Sequence, residues 1–497
     1  MEKIHDIRLL LAVLAPLVGA GLVMLNGKRP NVRETCSFAA AVVLFALTAS
    51  MIPLVLQGKM LHLTVFQLIP SDAKSTGLSF ALRADALSMV FALSASFLWI
   101  LTVFYSAGYM RGLQEHAQTR FNTCFALALF GAVGCALSDN LLTMYLFYEI
   151  VSICTYPLVA HHQDEESYEG GRKYLVYLTA TAKGLVLPAM VLLYVLSGTL
   201  DFATNIHTGI IPNTVHHGII AALYACCILG FAKNGVMPFH NWLPSAMVAP
   251  TPVSALLHAV AVVKVGVFST VRVMLYVFGT DLMRDLNLGL PTAYFVSITI
   301  VVGSIIALSK DNLKARLAYS TVSQLSYVIL GVALLTVPGI QGGIIQIANH
   351  AFAKITLFFC AGAIYVATHK KNISEMSGLG RAMPITFAAF GLASLSMIGA
   401  PPVAGFVTKW YLLNGAWDAN SVGIIVVLLV STLLNAAYFA PVVYQGFFGK
   451  TSEADIKHKY TEAHPALVVP LSITAVISVL IGLFPNFFMQ FVHKLVI

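Results

Sequence analysis

Apolar stretches of about twenty residues, the length a helix needs to cross the hydrocarbon core of a bilayer, recur from one end of this chain to the other. They leave room for little else. Of 497 residues 58% are hydrophobic and 10% charged, where a soluble domain carries about a quarter charged. With a mean hydropathy of +0.83, the chain lacks the polar surface that two or three soluble domains would need. Apolar runs separated by polar breaks predict fourteen helices, centred near residues 16, 46, 95, 129, 150, 185, 228, 262, 300, 326, 353, 398, 434 and 476. The first run extends from Ile7 to about Leu25 without a small-residue cleavage pattern and reads as a span, not a cleavable signal.

The formal charge of +8 does not mark a nucleic-acid binder, because the basic residues come one to three at a time between apolar runs. Topology accounts for them. With the N-terminus outside, the inner segments hold Lys28, Arg29, Arg33, Arg111, Arg120, Arg172, Lys173, Lys310, Lys314, Arg316, Lys370, Lys371, Arg381, Lys450, Lys457 and Lys459. The outer segments hold only Lys3, Arg8, Lys59, Lys74, Arg83, Arg272, Arg284 and Lys494. This excess places both termini outside under the positive-inside rule, with the chain in the cell (inner) membrane. The seven cysteines sit in or beside apolar runs without C-x-x-C spacing, so neither a disulfide framework nor a zinc site is expected. No phosphate loop, dinucleotide fingerprint or metal-ligand cluster stands out, and no cofactor or metal is expected. The acidic run Asp164-Glu165-Glu166 with Glu169 reads as a solvated loop.

After this sorting, Lys183, Lys233, Lys264, Lys354, Lys409 and one carboxylate, Glu149, remain inside spans. Ionisable groups are costly there and mark ion pathways. An internal repeat sharpens the point. Tyr148, Val151, Ser152, Thr155 and Tyr156 match Tyr319, Val322, Ser323, Ser326 and Tyr327 at a constant offset of 171, which also carries Gly171 onto Gly342 and Lys183 onto Lys354. Helices 5 and 6 therefore correspond to helices 10 and 11. An odd separation of five helices inverts the second copy, the architecture of secondary transporters with sites near mid-membrane.

Prolines interrupt equivalent apolar runs at Met237-Pro238-Phe239-His240-Asn241-Trp242-Leu243-Pro244 and at Ala400-Pro401-Pro402-Val403-Ala404-Gly405, predicting broken helices 7 and 12. Such breaks survive in a membrane only where protein or water satisfies the backbone. A lysine lies beside each. Glu149 is the one carboxylate available to hold Lys183 or Lys233 charged, and the sequence leaves open which it meets. His258, upstream of Lys264, titrates nearer neutrality, and His350 shares a helix face with Lys354 at i,i+4. Together these residues form a candidate horizontal file of proton sites: Glu149, Lys183, Lys233, His258, Lys264, His350, Lys354 and Lys409.

The segment from Phe231 through Lys233, Pro238, Trp242 and Pro244 to His258 and Lys264, with Tyr148-Glu149, His350-Ala-Phe-Ala-Lys354 and Gly405-Phe-Val-Thr-Lys409, resembles the proton-conducting antiporter-like subunits. These are shared by respiratory complex I, membrane-bound hydrogenases and Mrp-type Na+/H+ antiporters. The resemblance implies an all-α polytopic membrane protein of about fourteen transmembrane helices, with two inverted five-helix repeats and broken helices 7 and 12. It implies proton transfer through Glu149, Lys233, Lys264 and Lys409. The implied division is 1–115 for helices 1–3, 116–280 and 281–450 for the two repeats, and 451–497 for helix 14. The length resembles the Mrp D subunit, whereas His258 looks more like the A-type and complex I pattern, and Ser245 stands where many relatives carry Asp. Two readings follow: a component of a multisubunit cation/proton antiporter, or the proton-pumping arm of a redox complex whose electron transfer lies in other subunits. Either implies other membrane subunits as partners, the lipid bilayer as solvent, and H+ as a transported ion, with Na+ a candidate for the other.

Overall fold

The computed structural model describes residues 2–71, 75–450 and 460–496, without the side chains of residues 257, 258 and 496. Lys74, Lys457, Lys459 and the His258 side chain lie outside that description.

Each of the fourteen predicted helices is present. They are α1 (Arg8–Leu25), α2 (Pro30–Leu56), α3 (Ala86–Gly112), α4 (Gln118–Ala136), α5 (Leu141–Val159) and α6 (Glu165–Ser197). Next come α7, which begins as His217–Gly230, and α8, which covers 251–278. The second half holds α9 (Gly289–Ser309), α10 (Leu313–Ala333), α11 (Val337–Thr368), and α12 in two pieces, Pro384–Ile398 and Ala404–Asp418. Then follow α13 (Val422–Phe448) and α14 (Pro465–Leu483). A short helix, α15 (Asn486–Val496), ends the described chain. Side-chain oxygens start several spans by accepting orphan backbone N–H groups: Asp85 from Ser88, Asn140 from Thr143, Asp164 from Ser167 and Asn312 from Ala315.

The fold is not wholly helical. Lys3–His5 (β1), Met60–Ile69 (β2) and Leu78–Ala84 (β3) form a small sheet, with β1 parallel and β3 antiparallel to β2. It lies at the end of the bundle where α3 and α5 begin. A hydropathy window for helical spans passes over it because its strands, of 3, 10 and 7 residues, are too short to cross a bilayer as helices and pair residues far apart in sequence.

The repeat is visible in the geometry. α4 packs on α5 as α9 packs on α10. The isolated bridge between Asn140 and Asp201 has a counterpart between Asn312 and Asn372, in which Asp201 and Asn372 keep the offset of 171 while Asn140 and Asn312 are shifted from it by one residue. α11 is the central element: it packs on α3, α8, α10, α12 and α14, and residues 339–364 along it are buried without interruption. Peripheral helices turn apolar side chains outward instead, among them Ile153, Val195, Ile298 and Leu433, as a lipid-facing surface requires.

Candidate functional site

The two breaks position the site. α7 stops at Gly230 and the chain continues as a 3-10 turn, Ala232–Asn234, that carries Lys233. The carbonyls and amides freed there are paired by protein groups: Asn234 Nδ2 donates to Ile228 O (3.0 Å), Trp242 Nε1 to Ala232 O (3.0 Å), and Met237 N to Thr299 Oγ1 (3.2 Å). In α12, Gln324 Nε2 (3.3 Å) and Asn435 Nδ2 (3.1 Å) both donate to Met397 O. Asn349 Nδ2 donates to Ala404 O (2.9 Å) and Gly405 N to Ser396 Oγ (3.1 Å). Both interruptions are therefore built, hydrogen-bonded features, as non-helical backbone at membrane depth must be.

The lysines use the same openings. Lys233, with no exposed surface, donates from Nζ to Tyr148 O (2.8 Å) and Ser152 Oγ (2.7 Å) and lies 3.1 Å from the Tyr148 ring centroid. Those partners flank Glu149 on α5. Lys233 and Lys183 are the two cations whose charges act on Glu149. Among the described residues no ion pair within 4.0 Å engages that carboxylate, and its Oε1 is buried without a hydrogen bond. Lys183 sits on a π turn, Ala182–Val186, inside α6 and is exposed on this chain. π turns are frequent at functional positions, and the backbone of His258 lies on another, Leu256–Val260.

Lys264 Nζ and His350 Nδ1 are 2.9 Å apart, and the direction of their hydrogen bond follows the tautomer of His350. This contact joins α8 to α11 and hence the first half to the second. The shared helix face of His350 and Lys354 is real, yet the closer pairing is with Lys264. Lys354 instead points to α10, where its Nζ meets Ser320 Oγ and Leu317 O. Lys409 donates to Ile398 O (2.5 Å) and Thr432 Oγ1 (2.8 Å) beside the α12 break. Between Lys354 and Lys409 runs a polar stretch that charge sorting missed: Gln346 donates to Gln324 (2.8 Å), and Tyr327 to Ser431 (2.6 Å). A survey of Asn and Gln inside apolar runs would have found part of it, since their desolvation also demands partners.

One expectation is corrected. Arg83 and Arg272, assigned above to outer segments, are 1% and 0% exposed. Asp85, which caps α3, is 3% exposed and takes Arg272 in a two-point contact (2.5 and 2.9 Å), and it meets Arg83 at 3.0 Å. Asp139 approaches Arg83 at 3.4 Å and His62 at 2.7 Å. Glu149 and the five lysines are therefore not the sole interior charges. The sheet and the 198–216 loop close over this end of the bundle and bury the cluster, which a linear hydropathy window cannot register.

Fourteen helices in inverted repeats, broken twice at a row of buried lysines, define a class of ion-translocating membrane subunit. Residues 138–435 match the family model described as NADH:quinone oxidoreductase/Mrp antiporter, TM, and residues 72–122 match that of the NADH-Ubiquinone oxidoreductase (complex I), chain 5 N-terminus. The chain belongs to this NADH:quinone oxidoreductase/Mrp antiporter family. It is 30% identical to NADH-quinone oxidoreductase subunit N of Desulforudis audaxviator over 78% of this chain and 79% of that one. To NADH-quinone oxidoreductase subunit L of Mycobacterium tuberculosis it is 31% identical over 95% of this chain and 74% of the relative. To the putative antiporter subunit mnhA2 of Staphylococcus aureus it is 28% identical over 96% of this chain, which spans 61% of that longer protein. The same fold occurs in a chain of the Mrp complex from a Dietzia species (TM-score 0.85, 22% identity, 98% of this chain and 96% of that one). It recurs in the membrane-bound sulfane sulfur reductase, an archaeal respiratory membrane complex (TM-score 0.85, 21% identity, 99% and 98%). Its relatives are subunits of multisubunit membrane complexes, and this chain is an antiporter-like, proton-translocating membrane subunit of the same kind.

Proposed function

We propose that the chain is the proton-translocating subunit of a multisubunit monovalent cation/proton (Na+/H+) antiporter. The observation that carries this reading is the row of buried basic groups: Lys233 at the first break, the Lys264–His350 contact between halves, Lys354 on α11 and Lys409 at the second break. Each Nζ has neutral oxygen or nitrogen partners, so a proton can leave one site and be replaced without stranding a full ion pair. Glu149 stands within electrostatic reach of Lys233 and Lys183, and a shift of Lys233 from Tyr148 O and Ser152 to that carboxylate would favour its charged form. This reading assigns proton transfer to Glu149, Lys183, Lys233, His258, Lys264, His350, Lys354 and Lys409, with 116–280 and 281–450 as the two working units and 1–115 and 451–497 as their flanks. The excess of basic residues in the alternate loops supports termini on the outer side of the cell membrane.

The second reading, a proton-pumping arm of a redox complex, draws support from the likeness to subunits N and L of NADH-quinone oxidoreductase. Purification of the native complex and its reconstitution separate the two. An imposed Na+ gradient is expected to build a pH gradient with the wild-type complex, and none with Lys233→Ala or Glu149→Gln although both variants assemble. Full activity in either variant removes that residue from the path, and co-purifying iron–sulfur, nickel or flavin subunits overturn the antiporter reading.

A further inference from the structure

Outside the lysine row, at the end of the bundle where α3 and α5 finish, two dipeptides meet. Glu115-His116 follows α3 and His161-His162 follows α5. One ligand atom from each of Glu115, His116 and His161 lies within 4.8 Å of the others. Glu115 Oε2 is 3.7 Å from His161 Nε2 and 3.6 Å from His162 Nδ1. Three imidazoles are thus gathered near the Glu115 carboxylate.

His161 is what makes this more than a surface cluster. It has no exposed surface, yet neither ring nitrogen completes a hydrogen bond. Buried polar atoms left unpaired are costly and call for an explanation. An imidazole whose ring nitrogens have no hydrogen-bond partner among the described residues offers a lone pair to a cation placed between it and Glu115. Arg120 fixes the His161 backbone by donating from Nη2 to its carbonyl (2.8 Å). Ligand atoms in a tetrahedral zinc site, each about 2.0–2.1 Å from the metal, are roughly 3.3 Å apart. The 3.7 Å between Glu115 Oε2 and His161 Nε2 is close to that, the three ligand atoms lie within 4.8 Å of one another, and the exposed His116 ring rests against the His161 ring with centroids 4.8 Å apart.

We infer that Glu115, His116 and His161 form a binding site for a borderline divalent cation of the Zn2+ type. Imidazole and carboxylate donors without thiolate suit such ions. The fourth coordination position faces water or His162. Glu115 and His162 also line a cavity of about 550 Å³ that reaches inward to Lys314 between the two halves, so the metal would sit on its rim and tie the end of α3 to the end of α5.

The test uses the complete chain in its native complex, stripped with chelator and titrated with Zn2+ alone. One saturable zinc per chain is expected, with an X-ray absorption first shell of nitrogen and oxygen. His161→Ala and Glu115→Gln are expected to weaken binding at least about tenfold. His116→Ala, altering an exposed side chain that leaves the fold undisturbed, is expected to do the same. His369→Ala, at the C-terminal end of α11, serves as the control and retains full affinity. Absence of saturable zinc, sulfur in the first shell, or unchanged affinity in His116→Ala overturns the site.

Discussion

At the scale of single residues, the interior holds two kinds of charge with opposite chemistry. The lysines of the central row rest on carbonyls, hydroxyls and one imidazole, partners that are readily exchanged. Asp85, Arg83 and Arg272 form a closed knot in which a carboxylate is gripped by two guanidiniums, stacked in turn over the Tyr276 ring. Removing one partner of a buried ion cluster leaves an uncompensated charge and costs about 3–5 kcal/mol. Asp85→Asn is therefore expected to lower the thermal stability and yield of the purified chain sharply, with the second change Arg272→Met recovering part of the loss. Equal stability of Asp85→Asn and wild type would show the knot to be solvated. The lysines were legible in the sequence because each stands alone in a long apolar run. The knot was not, because its members lie at span ends, where a charge ordinarily meets water, and its burial depends on a sheet and a loop from elsewhere in the chain.

At the scale of elements, the prolines announced both broken helices, but not how closely each break is held against its neighbour. A Cβ added at Gly266 on α8 would overlap the Lys233 and Asn234 backbone, and one at Gly405 would overlap the Ser396 carbonyl. Both clashes are with backbone, which cannot step aside as a flexible side chain would. The absent side chain is what lets the two pieces of α12 turn back on each other, with Gly405 N on Ser396 Oγ and Lys409 Nζ on Ile398 O. Gly405→Ala is expected to force these pieces apart, a strain of about 1–3 kcal/mol or more, and to displace Lys409 from its acceptor. The measurement is transport at matched protein level beside a melting curve. A fall in transport larger than the loss of folded protein is expected, whereas wild-type transport would show that the tight turn is incidental to the row.

At the scale of the whole molecule, the inverted repeat turns one half into a template for reading the other. The offset that carries Lys183 onto Lys354 also carries Glu149 onto Ser320, and Lys354 and Ser320 are in direct contact. The geometry that pairs a lysine with a hydroxyl in the second half therefore sets a lysine near a carboxylate in the first, in keeping with the charge of Lys183 acting on Glu149. The copies differ in surroundings. Lys354 is enclosed by α10, α11 and the Phe439 ring, while Lys183 is exposed on its π turn, at the flank of the row. The matching register was visible in the sequence; the difference in burial was not, since it arises from α11 being covered on all sides and α6 lying at the periphery. The two lysines are accordingly expected to respond differently to the same substitution. Lys354→Met interrupts the row and is expected to reduce proton-coupled transport below about a tenth of wild type, a change of about 1.4 kcal/mol in the barrier. Lys183→Met removes a proton-transfer site at the exposed flank but leaves the buried route from Lys233 to Lys409 in place, and is expected to cost part of the activity while retaining the larger share. Reconstituted transport of the two variants decides the matter, and the reverse ranking would place the conducting path through α6 and its exposed face instead of the covered centre of the bundle.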